Sequence, residues 1–406
     1  MTFPLAKSEL SIFNPSGVQC CTKSALWVDY HPITSLKSNT PIEFIIESSE
    51  NYLDLNDTVL YIKYKVTQNN GNPITEAMKV TQKNHLFSSL FKDINLYLNG
   101  FLVEGGQSLY GYKSYLTSLL QYNKDVKKTQ FFASGWDSKN LENGKSYEVM
   151  GPLFLDMFTQ TRYLLPKVSV RLRFDRNPSS FYLNYTKPAT GNVKEPVINI
   201  EEAKLYVRNV EVNPTIALAH EDGLARNNAM YPLQKTMLKY LSVIKGTNIW
   251  GIDNILHGRI PKVLIMGLVK DEAFGGNYNM NPFEFKHFNL NRIGLYLNGK
   301  TIPSKELTPN FETGLCMREY ISMFQNLEMF GKNITNSITF NEFKENPIFV
   351  FNLTSDLSMN IGQTARFGNL RLEMNFSKPL ETNINIILYA IMDGQLEITK
   401  DRNIIF

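Results

Sequence analysis

The side chains of this 406-residue chain best suited to chemistry are a glycine-lysine-threonine cluster, five histidines, three cysteines and two basic groups. Gly294-Leu-Tyr-Leu-Asn-Gly299-Lys300-Thr301 satisfies G-x-x-x-x-G-K-[ST], the pattern that cradles nucleotide phosphates. A working site needs a strand, a loop of free N–H groups and then a helix N-terminus at the phosphate. Here the intervening residues are strand-forming Leu-Tyr-Leu, and Thr301-Ile-Pro303 does not readily open a helix. The stretch therefore predicts a hairpin and no nucleotide binding. His31, His85, His220, His257 and His287 are scattered, and none pairs at H-x-H or H-x-x-x-H spacing, which argues against a metal site. Ser108 completes no G-x-S-x-G elbow. Cys20, Cys21 and Cys316 make no disulfide framework and fit a reducing compartment. The acidic residues are dispersed, with no acid/base couple. No catalytic, cofactor-binding or metal-binding residue is expected, and the chain does not read as an enzyme.

Two basic features remain. Lys124–Lys128 puts three lysines in a polar loop, and Arg162, Lys167, Arg171, Arg173 and Arg176 follow one another along a second stretch. With a net charge of +4 over 42 basic and 38 acidic groups, a solvated outer face with subunit contacts is the expectation, ahead of DNA contact.

The elements that would hold these residues are β-strands. Asp93–Gly100 reads Asp-Ile-Asn-Leu-Tyr-Leu-Asn-Gly and Arg292–Gly299 reads Arg-Ile-Gly-Leu-Tyr-Leu-Asn-Gly, one in each half. Ile94, Leu96 and Leu98 alternate with polar or amphipathic neighbours, as do Ile293, Leu295 and Leu297. That is the period of a strand with one buried face. Each copy ends in Asn-Gly (Asn99-Gly100 and Asn298-Gly299), the pair best suited to a two-residue hairpin turn.

The rest of each half repeats the same programme. In the first, Leu26/Val28/Tyr30, Ile42/Phe44/Ile46 and Leu60/Ile62/Tyr64/Val66 precede the hairpin, and Phe101–Glu104 returns from it. Tyr112, Tyr115, Leu116, Leu119 and Leu120 then fall at helical spacing in Tyr110–Leu120. Val149–Leu155, Val168–Phe174 and Ala203–Val207 are the remaining strands. In the second half, strands at Met237–Val243, Asn248–Asp253, Val263–Val269, Ile293–Asn298 and Thr301–Ile302 lead to a helix at Leu315–Phe324. There Tyr320 and Ile321 stand where Tyr115 and Leu116 did. Pro347–Leu353, Leu370–Phe376, Ile384–Met392 and Leu396–Ile398 close the set.

About eight strands per half with few helices predict an all-β chain: two tandem eight-stranded jelly rolls, each with a short helix between strands F and G (lettered B to I). The expected organisation is an arm over residues 1–23, a first roll over 24–213, a linker over 214–228 with a helical turn at Ala217–Leu224, and a second roll over 229–406. The apolar Ile404-Ile405-Phe406 end reads as a tail on its own domain or on an adjacent subunit. Met1–Phe13 has no apolar signal-peptide region, and no run reaches the roughly 18 apolar residues of a membrane span.

The chain resembles the double jelly-roll, hexon-like major capsid proteins of Polinton (Maverick) elements and adintoviruses. The resemblance lies in Pro41–Ser48, Leu86–Gln121 with Tyr110-Gly-Tyr-Lys-Ser-Tyr115, and Asp156–Leu165 with Arg162-Tyr-Leu-Leu. It continues through Ala217–Pro232 with Leu218-Ala-His220, Asn281-Pro-Phe-Glu-Phe-Lys-His287 into Asn289–Gly299, and Gly368-Asn-Leu-Arg371. These stretches are collinear from about Leu26 to the end.

The resemblance implies a structural protein without cofactors, whose homotrimers form pseudo-hexagonal blocks tiling an icosahedral shell around DNA. Implied partners are further copies of the chain, neighbouring capsomers, and penton and minor capsid proteins, with packaged DNA touched only non-specifically. The implied location is the virion capsid, with synthesis in the host cell and no secretion signal. The D–E loops Gln68–Asn84 and Asp271–Pro282 would lie on an outer rim. Tyr112, Tyr115, Tyr320, Phe324 and Phe406 are the candidate subunit contacts. The competing expectation is a two-domain β-sandwich that binds a glycan or other ligand, to which Tyr278 and Trp250 are the mild pointers.

Overall fold

The computed structural model describes residues 20–37, 40–188, 193–333, 335–359, 362 and 364–406. Most of the expected 1–23 arm lies outside these residues, and its last two, Thr22 and Lys23, already belong to a strand.

The first half contributes β1 (Thr22–Tyr30), β2 (Ile42–Ile46), β3 (Tyr52–Gln68), β4 (Phe91–Leu98) and β5 (Phe101–Glu104). After helix α1 (Tyr110–Gln121) and the single turn α2 (Lys124–Lys128) come β6 (Ser146–Pro152), β7 (Val170–Arg176) and β8 (Pro196–Val212). They form two antiparallel four-stranded sheets, ordered β1-β8-β3-β6 and β2-β7-β4-β5. With strands lettered B to I, these are the B-I-D-G and C-H-E-F sheets of a jelly roll, and α1 sits between F and G.

After α3 (Pro214–Leu224), the second half runs β9 (Ala229–Val243), β10 (Ile249–Ile252), β11 (Val263–Lys270), β12 (Leu290–Leu297) and β13 (Lys300–Leu307). Helices α4 (Met317–Asn326) and α5 (Phe340–Glu345) precede β14 (Ile348–Asn352), β15 (Leu370–Phe376) and β16 (Ile384–Ile398). Sheet orders β9-β16-β11-β14 and β10-β15-β12-β13 repeat the first half strand for strand, and Ile404–Ile405 (β17) adds onto β16.

The alternation has its expected physical meaning. Ile94, Leu96, Leu98, Ile293 and Leu295 are all buried, and Leu297 is half-buried. Val170, Leu172 and Phe174 point inward from β7, whereas Arg171 and Arg173 lie on the outer face, paired with Glu43 and Asp175. Two expectations are corrected. Leu26 is 66% exposed, because the middle of β1 lies outside the core and only Tyr30, at the strand's end, packs against it. The linker is an 11-residue helix, longer than the turn expected at Ala217. Asn213 caps it by accepting the Thr215 N–H at 3.1 Å, and Pro214 occupies the first turn, where its missing N–H costs nothing.

The two rolls do not keep separate cores. Tyr231, Leu233, Leu396 and Ile398, from the second half, are packed in the first roll's core. Leu109, Tyr112, Tyr115, Leu116, Leu120 and Phe181, from the first half, belong to the second.

Candidate functional site: the contact between the two rolls

Helix α1 is the centre of this contact. Tyr112, Tyr115, Leu116 and Leu120 share one face by their three- and four-residue spacing, and that face is covered by the second roll. The Tyr112 ring stacks on Phe274 at 5.5 Å and meets Phe283 edge-on at 5.6 Å, and its hydroxyl donates to the Phe274 carbonyl at 3.2 Å. Tyr115 stacks between Trp136 at 5.7 Å and Phe283 at 4.5 Å. Each aromatic pair contributes about 0.5–1.5 kcal/mol beyond simple area burial. Tyr112 is 2% exposed, so the two tyrosines expected at a subunit interface instead fill a contact within one chain.

The other side of α1 carries a buried ion cluster. The Lys113 ammonium contacts Glu104 and donates to Asp156 Oδ1 at 2.6 Å. Asp156 reaches across to β9, where it accepts the Thr236 N–H at 2.8 Å and the Thr236 hydroxyl at 2.7 Å. Burial pushes the Glu104 carboxyl above the ordinary carboxylate range, against the pull of Lys113. Burial alone would lower the Lys113 ammonium, but Glu104 and Asp156 outweigh it and hold the charge above the ordinary lysine range.

Further polar ties surround this centre. Lys83, 1% exposed, donates to the Ser180 carbonyl at 2.6 Å and, across the contact, to the Asn277 carbonyl at 2.7 Å. Burial lowers it to about 7. Asn281 donates to Asn84 at 2.9 Å. Gly276 fits where no other residue would: its φ is +102°, and a Cβ there would sit 2.7 Å from the Phe181 nitrogen. The Asp271–Pro282 loop thus lies against the first roll. At the far end Arg402 donates to the Pro166 carbonyl at 3.0 Å and to Glu221 at 2.5 Å, and its own carbonyl accepts from Asn99 at 2.9 Å.

The hairpin residues form matching turns. Asn99 and Gly100 have φ of 47° and 80°, Asn298 and Gly299 of 49° and 81°, so both pairs adopt the left-handed conformations of a type I′ turn. Lys300 and Thr301 pair with Leu297 and Tyr296, so the phosphate-loop pattern is strand, turn and strand. Tyr320 and Phe324 on α4 are half-buried, 5.1 Å apart, with the Tyr320 hydroxyl donating to the Ile338 carbonyl at 3.0 Å. Phe406 is 39% exposed and lies beneath the Lys235 ammonium at 3.8 Å, on its own chain.

Sequence reasoning missed Lys83, Lys113 and Lys127 as interior residues. Lys127, placed in a polar loop by sequence, is buried in α2, where it donates to the Leu119 carbonyl at 2.7 Å and burial lowers it to about 8. Lysines sit outside by default, and only the place of Lys113 between Tyr112 and Tyr115 on the helix hinted otherwise. The glycan pointers are engaged elsewhere: Tyr278 meets Tyr185 edge-on at 5.6 Å, and Trp250 packs against the second core. Among the described residues no three His, Cys, Asp or Glu side chains gather as a metal site.

This arrangement, two B-I-D-G/C-H-E-F sandwiches locked side by side, can be set against known structures. A chain of the Sputnik virophage structure superposes with a TM-score of 0.64 at 15% identity, covering 100% of this chain and 92% of that one. The fold is the double jelly roll of viral major capsid proteins. The Faustovirus major capsid protein gives a TM-score of 0.61 at 10% identity, covering 96% and 92%. In sequence, an uncharacterized Caenorhabditis elegans protein is 24% identical over 413 residues, covering 95% of this chain and 98% of its own length. No protein-family model matches the chain. No helix among the described residues is long and apolar enough to cross a membrane.

Proposed function

We propose that this double jelly roll is a major capsid protein, a structural subunit without catalytic activity, whose homotrimers form six-sided blocks of an icosahedral shell around DNA. The observation that carries this reading is a difference between two equivalent helices. On α1, Tyr112 is covered by the second roll. On α4, the equivalent place is Met317, taken at the offset that matches Tyr320 to Tyr115, and it is 54% exposed beside exposed Leu315. Phe330, just beyond α4, is exposed as well. The first roll of a neighbouring copy supplies the missing cover if the contact within one chain is repeated between chains. Three copies then close a ring of six sandwiches, a head-to-tail arrangement whose rotation closes. In this reading Tyr320 and Phe324 support that interface, and Phe406 lies nearer the joint within one chain.

The collinear sequence resemblance supports a kinship with the capsid proteins of Polinton elements and adintoviruses, which is the origin proposed for this chain. We assign the rolls to 24–213 and 229–406, the first extended by Thr22 and Lys23 of β1, with the connecting helix between them and an arm ahead of them. Neighbouring capsomers, penton and minor capsid proteins are the partners in the shell. DNA is met only through general charge, because Arg171 and Arg173 are already paired with carboxylates. Native mass spectrometry of the purified protein tests the reading: a species near three times 46.5 kDa is expected, and a strict monomer at micromolar concentration overturns it.

A further inference from the structure

A second polar site, beside the contact between the rolls, is a cavity of about 190 Å³ on the second roll. Four cationic residues line it: Lys235 on β9, Arg259 and Lys262 before β11, and Arg366 before β15. Among the described residues the one lining carboxylate is Asp393.

Two of the four cations are engaged by the protein. Lys262 donates to Asp393 at 3.0 Å and to the Met359 carbonyl at 2.8 Å, and Arg366 donates to the Leu353 carbonyl. Lys235 and Arg259 have no carboxylate within ion-pair distance among the described residues. Lys235 instead lies 3.8 Å above the centre of the Phe406 ring, a contact that supports a cation without pairing it to a carboxylate. Burial and, after it, the charge of Arg259 hold Lys235 below the ordinary lysine range, against the pull of Asp156 and Glu104. Two like charges thus face one polar cleft, an arrangement that a bound anion relieves.

The chemistry of the lining selects the anion. A lysine supplies a point charge with freely rotating donors, and an arginine supplies a planar fork, the combination that matches tetrahedral phosphate oxygens. We propose that this cavity binds a small, multiply charged phosphate compound, held between the Lys235 ammonium and the Arg259 guanidinium with Phe406 as one wall. The small volume favours a compact oxyanion over a polymer backbone. The site is formed within one chain and does not depend on the oligomer proposed above.

The test is calorimetric titration of the full-length protein with pyrophosphate at physiological ionic strength. Saturable binding is expected, weakened about tenfold or more by Arg259→Gln and by Lys235→Gln, the loss expected for one charge-assisted hydrogen bond. Arg259 is exposed, so Arg259→Gln should keep the parent unfolding temperature without phosphate, which separates loss of the site from loss of the fold. Absence of binding at millimolar pyrophosphate, or unchanged affinity in a folded Arg259→Gln protein, overturns the assignment. A short single-stranded oligonucleotide without terminal phosphates that displaces pyrophosphate at equal concentration also overturns it, in favour of a backbone-binding groove.

Discussion

Asp156 and Thr236 are joined by two hydrogen bonds, from the threonine N–H at 2.8 Å and its hydroxyl at 2.7 Å, and they come from different rolls. The same carboxylate holds the buried Lys113 ammonium, so one residue connects the ion cluster on α1 to the neighbouring sandwich.

Removing that carboxylate should cost far more than removing one of its donors. Asp156→Ala leaves a buried ammonium with Glu104 alone, and a loss of about 3–5 kcal/mol is expected. Thr236→Val deletes one hydroxyl and should cost about 1–2 kcal/mol. Urea unfolding monitored by fluorescence measures both; equal midpoints for the two variants would show that the cluster is not a clamp.

The duplicated turn makes a paired prediction. Asn99 Oδ1 accepts the Ser169 N–H and Asn298 Oδ1 accepts the Asn369 N–H, both at 2.8 Å, while both asparagines sit at positive φ. Asn298→Ala loses the hydrogen bond and strains the backbone, for about 1–3 kcal/mol. Asn298→Gly keeps the conformation and should cost less. Thermal unfolding ranks them; glycine no better than alanine would remove the conformational part of the argument.

Acid should weaken the fold through His85. Its ring is buried among Tyr115, Trp136 and Phe154, with Nε2 3.2 Å from the Ser114 hydroxyl. Burial lowers its pKa to about 3. Between about 3 and the ordinary value of about 6.5, the unfolded chain binds a proton that the folded chain refuses. Stability contributed by the neutral ring is therefore full above pH 6.5 and falls as pH drops across that window, by roughly a few kcal/mol. His85→Asn, which tolerates the observed φ of 61°, should flatten this part of the pH–stability curve relative to the parent. Parallel curves for the two proteins would count against it.

The assembly reading rests on exposed apolar residues at the start of α4. Met317→Asp should abolish the trimer in native mass spectrometry while leaving the subunit's unfolding temperature nearly unchanged, as surface substitutions do. Trimers that persist at parental concentration would place the interface elsewhere.

Much of the architecture was legible because alternation marks a half-buried strand directly. Ile42/Phe44/Ile46, Ile94/Leu96/Leu98 and Leu370/Leu372/Met374 all turned inward as spaced. Leu26 did not, since a pattern reports which residues share a face, whereas what packs over that face depends on distant parts of the chain. The apolar stripe of α1 was equally readable, but which roll it would cover was not. That choice is made by Phe274 and Phe283, far along the chain, and no local spacing encodes it. Lys83, Lys113 and Lys127 were missed for a related reason: a lysine goes inside only when distant carbonyls or carboxylates receive it.

The traded core residues have an evolutionary consequence. Tyr231 and Leu396 complete the first sandwich, and Leu116 and Phe181 complete the second, so the halves have become complementary instead of interchangeable. A recombination event that replaced only one half with a diverged homologue would join surfaces shaped for other partners. The two sandwiches are therefore expected to tolerate exchange only as a pair.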